Sequence, residues 1–258
     1  MDTNSRLKPK KTIETFFSKN IEKIEKDTQS SNFPNTAKAL FQNIRKLEQI
    51  SKGSYSINDN FYSSKILQRV AIELYLVGHY IYVRTSKDKS DEVGEDYYKY
   101  YYCQEGFKRE NYNAMTQDSI TNVKGERGLA RLIQNHPEFS FMKDADYIEI
   151  NRKANLFDIK KIISALNNEY NNSDFSDLHN FMTKLTEIYN ETSSYIHGGP
   201  IAESEFLELN MSEKKSEIKN VQDWCSSLTR HAKTNYLTFL GSTDYQEYLM
   251  PVKNILEK

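Results

Sequence analysis

The chain has 258 residues, with 36 acidic and 35 basic side chains, two cysteines, nine glycines and five prolines. Charge so nearly balanced gives no global field to draw in RNA or an anionic membrane, so such binding has to come from a local patch. Few turn-forming residues exclude a sandwich or barrel, and the widely spaced Cys103 and Cys225 exclude a disulfide framework and suit a reducing compartment.

The N-terminus (MDTNSRLKPKK) is basic without a following apolar stretch, which reads as neither signal peptide nor anchor. We therefore expect a soluble cytoplasmic protein, in which the sequons at Asn171, Asn190 and Asn210 are chance matches. The first helix is expected over Ile13 to Lys26 and a second over Thr36 to Ser51, capped by Asn35 and ended by Lys52-Gly53. Together residues 1–55 are expected to form an N-terminal helical arm or hairpin beside a bundle core spanning 56–258. A long helix from Phe61 to Arg84 is apolar nearly all round between Val70 and Val83, the pattern of a central bundle helix. That run is too short to span a bilayer and contains Glu73 and His79.

Tyr97, Tyr98, Tyr101 and Tyr102 fall on one side of a helix, which is expected to face the core; with Lys99, Lys108 and Arg109 they could instead stack bases. Lys124 to Gly128 reads as a loop into a short helix, Leu129 to Gln134, closed by His136-Pro137. Lys124, Arg127 and Arg131 form a small basic group best read as solvated surface. No period stands out from Phe139 to Asn155. Helices resume over Asp158 to Tyr170 and Val221 to Leu240. Asp144, Asp146, Asp158 and Lys160 distantly suggest a metal nuclease, but Asp158 sits at a helix start rather than on a strand, and no spacing suggests a metal or cofactor site.

The most informative stretch is Phe175 to His197, apolar at three-and-four spacing and stopped by Gly198-Gly199-Pro200. His197 and Ser193 lie one turn apart on its flank, in line with Asn190, Thr186 and His179. His197 is either a C-terminal cap or, beside unpaired helix carbonyls, a proton carrier. On the central helix, Arg69 and Glu73 are spaced to pair, with the Glu73 carboxylate expected to be cut off from bulk water.

An Arg-x-x-x-Glu helix (Arg69, Glu73) followed much later by Ser-x-x-x-His-Gly (Ser193, His197, Gly198) resembles the HEPN-like helical proteins, and within them is most similar to the DUF5677-type group of bacteria. The resemblance covers Phe61 to Pro200. It implies an all-α, single-domain helical bundle with a helical arm, a possible homodimer, and a role as a defence or toxin-type effector acting on RNA without a metal. From the two polar seams we further expect His197 to shuttle the 2′-hydroxyl proton, Arg69 to stabilise the phosphorane charge, Glu73 to orient one of them and Ser193 or Asn190 to hold the scissile phosphate, with His79 as an outside candidate for substrate contact. The chain departs from the family's nuclease motif, because Asn190, Glu191 and Thr192 stand where an arginine is expected. The alternative is a non-enzymatic interaction or sensor module that binds a partner protein of the same defence system, with the three residues purely structural.

Overall fold

The computed structural model describes residues 12–57, 59–117, 125–144, 146–171 and 176–248. Among them every regular element is helical. In chain order these are α1 (Ile13–Lys19), α2 (Ile21–Gln29), α3 (Pro34–Ser56), α4 (Phe61–Asp88), α5 (Glu92–Asp96), α6 (Tyr102–Gln117), α7 (Gly125–Asn135), α8 (Tyr147–Ala154), α9 (Ile159–Asn171), α10 (Ser176–Ile196), α11 (Pro200–Glu208) and α12 (Met211–Phe239). A π-helical turn, Tyr97–Tyr101, joins α5 to α6, and short 3-10 turns flank α8.

The central helix starts at Phe61 as its sequence predicts, with the Asn60 side chain accepting from the Ser63 amide, and it packs on α3, α12, α10 and α9. Its nearly continuous apolar circumference between Val70 and Val83 is the cause, since such a stretch is stable only when largely covered. Ala71, Ile72, Tyr75, Leu76 and Ile81 are buried there together with Leu40, Ile44 and Leu47 of α3, Met182 and Leu185 of α10, and Val221, Leu228 and Leu237 of α12. Smaller clusters join α6, α7 and α8 around Cys103, Phe107 and Leu132, and join the end of α10 to α11 around Phe61, Tyr195, Ala202 and Ile218.

The N-terminal helices are not an appendage. Phe16, Phe17 and Ile24 of α1 and α2, and the buried face of α3, belong to the same core as α4 and α12. The single helix expected over Ile13 to Lys26 is broken at Asn20, whose amide and side-chain Nδ2 both donate to the Phe16 carbonyl and close the first turn set. The second helix runs through Lys52-Gly53 to Ser56, because Ser54 is buried and its carbonyl accepts from Gln222 Nε2 on α12 at 3.1 Å. Glycine lowers helix propensity by only about 1 kcal/mol, which tertiary contacts of this kind offset.

Asn35 does not cap α3. Phe33 occupies the cap position with a side chain that cannot accept a hydrogen bond, so Asp91, beyond the end of α4, supplies its carboxylate to the amides of Asn35 and Thr36 at 2.9 and 2.8 Å. An anion at a helix N-terminus satisfies free amides and meets the positive end of the helix dipole. The approach is close enough that a Cβ on Gly94 would lie 2.3 Å from the Thr36 nitrogen. Gly94→Ala should therefore lower stability by about 1–3 kcal/mol through overpacking against backbone. Gly53→Ala, whose Cβ meets only Leu67 at 3.7 Å, should raise it by up to about 1 kcal/mol. Thermal melts of the two variants side by side check both signs.

The tyrosine-rich turn follows its expectation in three of four residues. Tyr97, Tyr98 and Tyr101 pack on the core, Tyr97 and Tyr101 against Phe157, but Tyr102 is exposed. A π-helical turn holds an extra residue, so it rotates the following side chains and brings Cys103 inward in place of Tyr102. Residues 125–128 are helical rather than looped, and the region with no visible period holds α8 and two 3-10 turns. The sequence reading of the last helix missed its start: Asn210 and Glu213 form a capping box at its N-terminus, ten residues before Val221. Lys124, the basic tail at residues 1–11 and the Arg127 side chain lie outside the described residues, as does Phe175, the expected start of the seam helix.

Candidate functional site

Arg69 and Glu73 meet, and a third group closes the arrangement. The buried Arg69 guanidinium donates from Nη1 to the Tyr189 carbonyl at 2.9 Å, pairs through Nη2 with Glu73 Oε1 at 3.1 Å, and lies 3.2 Å from the centroid of the Tyr189 ring. Tyr189 in turn donates its hydroxyl to Glu73 Oε1 at 3.4 Å. Hydrogen bonds to a charged group and stacking of guanidinium on an aromatic face are among the stronger polar contacts available. They clasp α4 to α10. Glu73 is not cut off from water: 36% of its side-chain surface is accessible. Val70 and Leu74 beside it are also only half-buried, so this flank of α4 reaches solvent.

His197 stands apart from this clasp. It is the exposed last residue before Gly198, whose φ of 60° turns the chain, and the Gly199 amide donates to the Ser194 carbonyl at 2.8 Å. That is the Schellman arrangement, which places His197 at the C-cap of α10. Tyr189 lies eight residues earlier, about 12 Å along the helix axis at 1.5 Å per residue. α4 and α10 run antiparallel, as the pairing of Tyr62 with Tyr195 and of Tyr75 with Phe181 shows, so Glu73 is further from His197 than Arg69 is. Ser193 is half-buried and Asn190 exposed, both on the polar flank their spacing predicts. The structure thus joins Arg69 to Glu73 and leaves Ser193 about one turn, and His197 about two turns, beyond Tyr189 along α10.

His79, the sixth predicted site residue, is in the interior. Its Nε2 bonds the Tyr170 hydroxyl, its Nδ1 bonds Asn235 Nδ2 at 3.2 Å, and its ring stacks on Tyr75 at 5.3 Å. Tyr75 in turn bonds His231 Nδ1 at 2.6 Å, and the two imidazoles lie 5.7 Å apart. Beside them a cavity of about 10 Å³, bordered by Asn43, Gly78, Tyr82 and Asn235, has room for about one water. Burial, with repulsion from His231, pushes the His79 pKa down to about 3, and burial pushes His231 down to about 4. Burial also raises the Tyr75 and Tyr170 hydroxyls. All four groups are neutral at pH 7, so His79 cannot shuttle protons there. Sequence reasoning missed this network, although Tyr75/His79 and His231/Asn235 carry a signal: polar pairs four residues apart on otherwise apolar faces.

The remaining candidates are held by structural contacts. Asp158 caps α9 through the Lys160 amide at 3.0 Å. Tyr98 donates to Gln42 and carries the Lys38 ammonium over its ring, while Lys108 pairs with Glu105 and Arg109 donates to His136. Burial raises the thiols of Cys103 and Cys225 to about 11 and about 12, which keeps both protonated. Among the described residues no group of three His, Cys, Asp or Glu is arranged to hold a metal ion, and no helix is long and apolar enough to cross a membrane.

No family model matches the chain, and neither the curated proteins nor the solved structures contain a match to it.

Proposed function

We propose that the protein is a non-enzymatic helical interaction module of the HEPN-like kind, serving a bacterial defence or toxin system by binding a partner protein. The observation that carries this reading is the use of the Arg69–Glu73 couple. Tyr189 takes up Arg69 Nη1 and the guanidinium face, Glu73 takes up Nη2, and Tyr189 lies about two helical turns from His197, so guanidinium and imidazole do not face one reacting phosphate. An interaction module also needs exposed apolar surface, and α11 with its neighbours presents Ile196, Ile201, Phe206, Leu207 and Met211 to solvent.

A second reading, a metal-independent ribonuclease, draws on one observation. His197 is exposed and immediately precedes Gly198 and Gly199, which line an open hollow of about 240 Å³. The test is incubation of the purified protein with total RNA in chelator, beside His197→Ala and Arg69→Ala. The interaction reading expects intact RNA throughout, with Arg69→Ala less stable by about 2–4 kcal/mol because a buried charge-assisted contact is lost. Glu73→Gln, half in solvent, should lose under about 1 kcal/mol. Cleavage by the parent chain that disappears in His197→Ala would establish the ribonuclease instead.

A further inference from the structure

We propose that the hollow between the start of α4, the glycine turn after α10, and α11 takes a lysine or arginine side chain from a cationic amphipathic segment of a partner protein. The assignment rests on the interaction reading and names the partner's chemistry. The hollow is lined by Tyr62, Gly198, Gly199, Glu203 and Phe206 and has a volume of about 240 Å³. Two aromatic rings and a carboxylate around backbone that carries no side chains are what an ammonium or guanidinium group needs.

Two observations sharpen the choice of ligand. First, Glu203 is the uncommitted carboxylate of its neighbourhood. Glu205 reaches the Lys65 ammonium at 3.8 Å, Glu208 accepts from Ser204 at 2.7 Å, and Glu213 accepts from the Asn210 amide at 2.8 Å. The Glu203 side chain has no such contact among the described residues and is exposed. Second, the Phe206 ring already holds a cation, the Lys214 ammonium, 4.1 Å from its centroid. One turn beyond Glu203 on the outer side of α11 stands Leu207, 73% exposed, and Ile201 and Met211 are 71% and 60% exposed nearby in sequence. The acid in the hollow and the apolar residues beside it match a segment with basic and hydrophobic faces.

Local charge decides between occupants. From Gly198 to Lys215 the sequence has four glutamates against two lysines, Lys214 and Lys215, so the patch is net acidic. Such a surface repels RNA phosphates and anionic headgroups, and a second copy of the same patch would bring glutamates against glutamates. A cationic partner gains from it.

The experiment is an anisotropy titration of the full chain with a fluorescein-labelled amphipathic helical peptide of leucine and lysine. Glu203→Gln and Leu207→Ser are compared with Glu187→Gln, an exposed glutamate on α10 that pairs with Lys184. Melting curves confirm that each variant folds. The parent and Glu187→Gln should bind alike, Glu203→Gln at least about tenfold more weakly, and a glutamate-for-lysine peptide not at all. Equal binding by the two glutamine variants, or preference for anionic vesicles over the peptide, would overturn the site. Intact RNA in the cleavage assay together with no peptide binding would remove this site and leave the interaction reading standing, whereas His197-dependent cleavage would remove the reading beneath it.

Discussion

Replacing Lys233 by alanine is expected to destabilise the fold by about 3 kcal/mol, near the lower end of the range for breaking a buried ion pair. Lys233 keeps only 3% of its side-chain surface accessible; its Nζ lies 2.7 Å from Glu48 Oε1 across the α3–α12 contact, and its ammonium sits over the Phe17 ring. Removing the lysine strands a carboxylate that is itself 14% accessible. The loss stays at the lower end because Arg45 also reaches Glu48, at 3.3 Å. A charge left without its partner is the source of the penalty, so removing both charges should relieve it. Lys233→Met with Glu48→Leu should come within about 1–2 kcal/mol of the parent, since well-packed apolar replacements of buried pairs are neutral or better. Urea unfolding of the single and double variants measures the difference, and a double variant as unstable as the single would refute the argument.

The second large effect is a loss of stability on acidification. In the folded protein His79 and His231 have pKa values depressed to about 3 and about 4, below the ordinary 6.5. Below pH 6.5 the unfolded chain therefore binds protons that the folded chain refuses, and stability falls with pH until the folded values are reached. Between pH 7 and pH 5 each of the two histidines contributes a loss of about 2 kcal/mol, because both folded values lie below this window. Carboxylates titrate mainly below this window, so the slope isolates the imidazoles. Unfolding free energies from denaturant titrations should fall between pH 7 and pH 5 by about 4 kcal/mol in the parent, and by about 2 kcal/mol in His79→Gln. An unchanged slope in that variant would show that His79 is not held neutral by its surroundings.

Much of the architecture could be read from the pattern of apolar residues. The central helix, its start at Phe61 and the apolar stripe of α10 are set by local periodicity, by the Asn60 side chain that accepts from the adjacent backbone, and by Gly198, whose lack of a side chain permits a positive φ. What escaped the reading is what depends on distant partners. Gly53 stops a helix only when nothing outside holds the next turn, and Gln222 holds it. Asp91 is 55 positions from Thr36 in sequence, so no window along the chain could identify it as the cap of α3. For the site, the Arg69–Glu73 pair was legible from its four-residue spacing. Its third member was not, because Tyr189 enters through a backbone carbonyl and the face of its ring, features that any residue or any aromatic could offer. The same helix geometry that makes His197 visible as a terminus also carries it past the reach of Arg69, and only the relative axial register of α4 and α10 reveals that.

The carboxylate of Asp91 gives the first half of the molecule a mechanical property. Thr36 is tied to Asp91 through its amide and to Thr85 through its hydroxyl, so the beginning of α3 is fastened to both sides of the reversal that follows α4. Neither end can fray independently. Residues 34–96 are accordingly expected to open together, and the slowest amides to exchange with deuterium near a helix start should be those of Asn35 and Thr36, positions that in an ordinary helix are the first to be lost.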